Sequence, residues 1–130
     1  MDNRTEKRKI GDLGEGFACD FLKSKGFRVL LRNYWKPWGE IDIVAQKGDL
    51  VHFVEVKSVS RACLPFRQEN QDFSPEDNVH FWKRKRLARV IETYILDKDL
   101  DMDWQVDVIS VYINKEMKLV GVDLLEDIEL

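Results

Sequence analysis

Glu40, Asp42, Glu55 and Lys57 are the residues whose types and spacing could do chemistry. They stand in two short runs, Gly39-Glu40-Ile41-Asp42 and Glu55-Val56-Lys57, with Glu55 thirteen residues after Asp42. The segment between them reads as two β-strands joined by a tight turn at Lys47-Gly48, because β-branched and aromatic residues flank a glycine that tolerates positive φ. A hairpin with an even loop pairs Val44 with Val51, Asp42 with Phe53 and Glu40 with Glu55. Opposed residues share a face, as do residues two apart on one strand. Glu40, Asp42, Glu55 and Lys57 then project together, with Asp42 and Glu55 as diagonal neighbours ~7 Å apart. Crowded carboxylates repel one another, and a divalent cation between them reverses the sign of that interaction.

A solvated face bearing a surface ion pair is the ordinary meaning of Glu and Lys alternating on a strand. Here the charged face also carries Val44, Val51, Phe53 and Val59, and the other carries Ile41, Ile43, Leu50, Val54 and Val56. Both faces are apolar enough to be covered, and charges among buried groups need partners or a metal. A metal site and a structural ion-pair cluster both satisfy that requirement, and the pattern alone leaves both open.

Those strands need helices to cover them. Ile10, Leu13, Phe17 and Phe21 repeat at helical spacing over about 6–25, with Gly26-Phe27 as the stop signal. Gly11, Gly14 and Ala18 form a stripe of small residues on the same helix. Its usual compensation for lost helix propensity is close approach of another backbone. Glu15 lies beside that stripe, at the edge of whatever the helix packs upon. Phe27 to about Trp35 reads as the first strand, and 60–73 as a polar, irregular loop long enough to be functional. Ser74-Pro75-Glu76-Asp77 starts a second helix running to about Leu96. Val79, Leu87, Val90, Ile91 and Tyr94 make its buried face, Lys83 and Arg86 lean toward the sheet, and Arg84 and Lys85 point outward. Residues 97–103 are an acidic connection without the glycine and terminal Glu of a calcium loop. Trp104 to Ile113 and Leu119 to Leu125 are the last strands, and Asp107 is an internal strand acid with no assigned role.

The 130 residues, 44% hydrophobic, suffice for one domain with one core. Charges fill the N-terminus where a signal peptide needs apolar residues, and no apolar run reaches membrane-spanning length. Cys19 and Cys63 show neither pairing nor zinc-type spacing, which suits a reducing cytosol and predicts a cytoplasmic protein. The net charge of −3 is unevenly spread. Residues 1–89 hold 18 Lys and Arg against 13 acids, and residues 90–130 hold 3 against 11. A basic face bearing the hairpin can therefore coexist with an acidic back.

The order helix, three strands, helix, strand, with Asp on the second strand and Glu-x-Lys on the third, resembles the PD-(D/E)XK nuclease superfamily. The likeness is nearer to its YraN-type branch of uncharacterised, Holliday-junction-resolvase-like endonucleases. It is carried by Gly11-x-x-Gly14-Glu15-x-x-Ala18, Leu22-x-x-x-Gly26-Phe27, Arg32-Asn33, Gly39-Glu40-Ile41-Asp42-Ile43-Val44-Ala45 and Phe53-Val54-Glu55-Val56-Lys57. Ser74-Pro75, Lys83, Arg86-Leu87 and Asp107-Val108 complete it. The resemblance implies an α/β, restriction-endonuclease-like αβββαβ core with a mixed five-stranded sheet flanked by helices. It implies Mg²⁺ or Mn²⁺ on Asp42 and Glu55 with help from Glu15, Lys57 orienting the attacking water, and Glu40 as an accessory acid. DNA, branched or flapped, is the implied substrate, held by Lys83, Arg86, Arg61 and Arg67. No membrane is implied, and a homodimer is allowed. Two features depart from the family's pattern: a longer loop between Lys57 and Ser74, and an arginine displaced to Arg61.

Overall fold

A computed structural model describes residues 2–60 and 81–130. Helix α1 spans Glu6–Ser24, strands β1, β2 and β3 span Arg28–Lys36, Gly39–Lys47 and Leu50–Ser60, and helix α2 spans Phe81–Asp97. Strands β4 (Asp103–Ile113) and β5 (Leu119–Leu125) follow. The sheet runs β1-β2-β3-β4-β5, with β3 and β4 parallel and every other neighbouring pair antiparallel. It is the mixed five-stranded α/β arrangement flanked by two helices of a restriction-endonuclease-like core. The expected helix start at Ser74-Pro75, Val79, and Arg61 and Arg67 lie outside the described residues.

The ends of α1 follow from local chemistry. Thr5 caps it by accepting the Arg8 amide at 3.1 Å. At the other end Gly26 adopts φ +88°, and the amides of Phe27 and Gly26 return to the carbonyls of Leu22 and Lys23. This is a Schellman stop, which glycine permits without strain. Ala18, Cys19 and Leu22 of α1 pack on Ile43, Ala45, Val54, Ile109 and Val111. On the opposite face Leu87, Val90, Ile91 and Tyr94 of α2 pack on Val44, Val51, Phe53 and Val106. Each fully buried aliphatic side chain in these layers contributes roughly 2 kcal/mol. Two features seat α2 over the β1–β2 turn. A Cβ on Gly39 would lie 2.8 Å from the Arg86 carbonyl oxygen, and the Trp38 indole donates to the Thr93 hydroxyl at 3.1 Å.

The hairpin register differs from the expected one by two residues. Lys47 pairs with Leu50, so the turn residues are Gly48 and Asp49, and Val44 rather than Asp42 faces Phe53. Gly48 takes φ +61° at the first central position, where a two-residue hairpin turn demands a glycine-compatible backbone. A slip of two preserves faces along the ladder from the Ile43–Val54 pair to the turn.

Ile41 also departs from expectation. It packs in the α2-side layer with Val44 and Phe53, whereas Ile43 belongs to the α1-side layer. Strict alternation would put both on one face, so the pleat resets between them. Asn33 lies directly across on β1, between the Arg32–Ile43 and Tyr34–Ile41 pairs, and has φ +55°. Leu31 and Tyr34, on either side of the reset, both face α2. Asn tolerates the left-handed region better than most residues, which explains its place at this kink.

Candidate active site

The kink at Asn33 and Asp42 creates the site. The β2–β3 ladder reaches Ile43 and Val54, and beyond it Asp42 reaches across with its side chain instead. Asp42 Oδ2 accepts the Val56 amide at 2.8 Å, replacing a strand carbonyl with a carboxylate. The two strands part around this contact. A cavity of about 750 Å³ opens there, lined by Glu15 and Gly11 of α1, Asn33 of β1, Glu40 and Asp42 of β2, Lys57 and Ser58 of β3, and Lys83 of α2.

Acids approach this opening from α1 directly and, by way of Lys83, from the α2 side of the sheet. Glu15 is 8% exposed and its Oε1 takes the Arg32 guanidinium at 3.3 Å. Its helix can sit this low because of Gly14: a Cβ there would lie 1.9 Å from the Ser58 hydroxyl oxygen and 2.9 Å from the Ser58 Cβ. Gly11 meets nothing comparable, so the close approach is made at Gly14 alone of the two. From the other face Glu55, also buried, pairs with the ammonium of Lys83. Each of the three acids thus has partners supplied by the fold: Arg32 and Asn33 for Glu15, Lys83 for Glu55, and the Val56 amide for Asp42.

The electrostatics follow from that crowding. Burial pushes the Asp42 carboxyl up to about 9, and the charges of Glu55, Glu15 and Glu40 add to the shift against the lowering by the Val56 amide. Burial also raises Glu15, opposed mainly by Arg32. A carboxylate that its own surroundings disfavour as an anion, in an open cavity rimmed by other acids, has a strong electrostatic reason to take a cation.

Of the residues singled out from sequence, Glu15, Glu40, Asp42, Lys57 and Lys83 share this cavity, and Glu55 is tied to it through Lys83. The side chain of Arg86 is exposed, and its carbonyl rather than its guanidinium lies over the sheet at Gly39. Arg84, expected to point outward, is half-buried. Arg32 and Asn33 entered the sequence reading only as a motif. Their work, pairing Glu15 and kinking β1, depends on a non-alternating strand that periodicity cannot register.

A second group of ligand-type side chains lies elsewhere. His52, Asp107 and Glu126 each place one ligand atom within 4.8 Å of the others, a His/Asp/Glu group that could hold a metal ion. Its inner pair is already engaged. His52 Nδ1 donates to Asp107 Oδ2 at 2.6 Å, and Asp107 Oδ1 accepts from Gln105 Nε2 at 2.8 Å and from the Asp127 amide at 3.0 Å. Asp107, unassigned from sequence, thereby ties β3 and the C-terminal segment to β4. The parallel register that brings His52 beside it pairs strands far apart in sequence.

The family described as "Uncharacterised protein family UPF0102" matches residues 14–111. A UPF0102 protein of Dictyoglomus turgidum is 38% identical over 120 residues, covering 91% of this chain and 94% of its own length. One from Campylobacter jejuni subsp. doylei is 38% identical over 101 residues, covering 78% and 81%, and one from Campylobacter fetus 37% over 106, covering 82% and 86%. No helix among the described residues is long and apolar enough to cross a membrane.

Proposed function

The chain belongs to the uncharacterised protein family UPF0102, and from the geometry of its carboxylate cavity we propose that it is a divalent-metal-dependent endonuclease acting on DNA. The observation that carries the reading is Asp42. Its carboxylate stands where β2 and β3 part, its charge opposed by Glu55, Glu15 and Glu40, with Lys57 on the same cavity wall. An all-oxygen donor set of this kind fits Mg²⁺ or Mn²⁺, which prefer carboxylates. Asp42 and Glu55 would hold the ion, aided by Glu15, with Glu40 accessory. Bound there, a divalent cation supplies neutralisation of the charge that builds on a phosphodiester during hydrolysis.

The remaining roles belong to side chains. Lys57, on the cavity wall beside these acids, orients the attacking water and stabilises negative charge. The Val56 amide fixes one oxygen of Asp42, a residue of the cavity wall. Lys83 and Arg86, with Arg61 and Arg67 beyond the described residues, hold the phosphate backbone. Such contacts fix position without reading sequence. Branched or flapped DNA is the substrate form we favour, and the protein acts in the cytoplasm, alone or as a homodimer.

A second reading has its own observation. The Glu15–Arg32 and Glu55–Lys83 pairs are what a structural ion-pair cluster, or a nucleic-acid-binding module that does not cleave, would also contain. Labelled duplex, single-stranded, flap and four-way-junction DNA incubated with Mn²⁺ separates the readings. The nuclease cleaves at least one of them, and Asp42→Asn and Lys57→Met each abolish that cleavage. Binding without cleavage by wild-type protein supports the non-cleaving module, and neither binding nor cleavage supports the structural cluster.

A further inference from the structure

Lys83 stands out because it contacts an acid from a helix that the chemistry does not otherwise need. Its ammonium pairs with Glu55, whose side chain is 7% exposed, while its own is 43% exposed. Three contacts seat the helix that carries it. The Arg86 carbonyl rests on Gly39, the Thr93 hydroxyl takes the Trp38 indole, and the Arg89 guanidinium stacks over Trp38 at 4.8 Å. The Lys83 backbone is therefore held one turn from a fixed contact, and its long side chain spans the remaining distance to the cavity.

We propose that Lys83 is a built-in counter-ion, which stands in for a divalent cation on Glu55 in the metal-free protein and is displaced when the cation binds. The proposal rests on the reading of this cavity as a metal site. A buried carboxylate beside Asp42 needs a positive partner at all times. One lysine suffices without metal, but it occupies an oxygen that the metal requires. Ammonium and cation therefore compete for the same acid. The displaced ammonium, half-exposed on the cavity rim, is then at liberty to take a phosphate oxygen. Lys83 is a positioning residue in this account, and its signature is the reverse of what a structural salt bridge would give: removing it tightens metal binding.

Calorimetric titration of the protein with Mn²⁺ at 0.15 M salt, a test condition of about 8 Å Debye length, decides the matter. Lys83→Met keeps the aliphatic stem and removes the charge. It should bind Mn²⁺ about fivefold tighter than wild type, the ratio set by losing a partly exposed ion pair. Lys83→Arg should bind as wild type does. Arg86→Met, which deletes the same charge one turn away, should change the affinity by less than about twofold because exposed charges are screened. Equal or weaker binding by Lys83→Met, or a gain no larger than that of Arg86→Met, overturns the proposal and leaves the metal site standing. Wild-type protein that binds no Mn²⁺, or Asp42→Asn that binds it undiminished, overturns the metal reading and the proposal together. Thermal melts in EDTA establish that each variant is folded, and Lys83→Gln repeats the measurement should Lys83→Met fail to fold.

Discussion

Asp42 holds the largest electrostatic tension in the described structure, and that tension has a pH signature. Its carboxyl is raised from 3.8 to about 9 by burial and by neighbouring acids. Between those values the folded protein keeps a proton that the unfolded chain releases. The metal-free protein accordingly loses stability from this group as pH rises from about 4 to about 9. Asp42→Asn retains an oxygen for the Val56 amide but has no charge to resist. Without divalent metal it should melt higher than wild type at pH 8, and the gap should shrink toward pH 4. Added Mn²⁺ should raise the wild-type melting temperature and leave Asp42→Asn unmoved, because only a group that binds the ion in the folded state is stabilised by it. A uniform offset across the pH range would mean that Asp42 acts through packing instead. Spacing alone singled out Asp42 and Lys57, which line the cavity, and Glu55, which is tied to it through Lys83. The pairings that balance the acids could not be found that way. Arg32 reaches Glu15, and Lys83 reaches Glu55, across elements whose mutual placement periodicity does not encode.

Helix α1 owes its position to a single glycine, and that gives a measurable cost. Alanine at 14 gains helix propensity of about 1 kcal/mol, yet its Cβ would overlap Ser58. Gly14→Ala should therefore destabilise by about 1–3 kcal/mol, the usual range for overpacking. Adding Ser58→Gly should recover part of the loss, and a double-mutant cycle in urea measures the coupling. An uncoupled pair would show that α1 adjusts without leaning on β3. The small-residue stripe did announce a close approach, but Gly11 shared the pattern without sharing the contact. Amphipathic spacing likewise located the first helix, the end of the second and all five strands to within a few residues. What it missed was the pleat reset, since Ile41 and Ile43 look equivalent in sequence and face opposite layers. A strand with φ +55° at Asn33 no longer alternates, and no composition rule marks where alternation stops. Asp107 is the parallel case for the last strands. Three donors converge on its buried carboxylate, so Asp107→Asn places an amide NH₂ against one of them and should cost about 1–3 kcal/mol. Hydrogen exchange at the Asp127 and Ile128 amides should speed up in that variant, because both bond to the 106–107 segment. Unchanged exchange there would assign the tail's order to Ile128 packing alone.

Across the whole molecule, charge is sorted along the chain: positive through residue 89 and strongly negative after it. The basic portion includes α1, the β1–β3 strands and the start of α2, which together surround the cavity. DNA that docks there should release counterions, so affinity should fall steeply with salt and depend little on sequence. Arg86→Ala should weaken every duplex alike and flatten the salt slope by about 0.9 if it contacts one phosphate. An unaltered slope would move the docking surface away from α2. The same sheet also carries a consequence for the order in which the protein comes into being. The hairpin bearing Asp42 and Glu55 is made of neighbours in sequence, whereas its parallel partner β4 cannot be paired until everything from Arg61 to Met102 has been synthesised. Contacts of such wide separation close a long loop and form late. On a ribosome, then, the acids gather first and their cover arrives last. For that interval the nascent chain presents β3 as an open, apolar edge, the stage at which it is most exposed to mispairing and most in need of a chaperone.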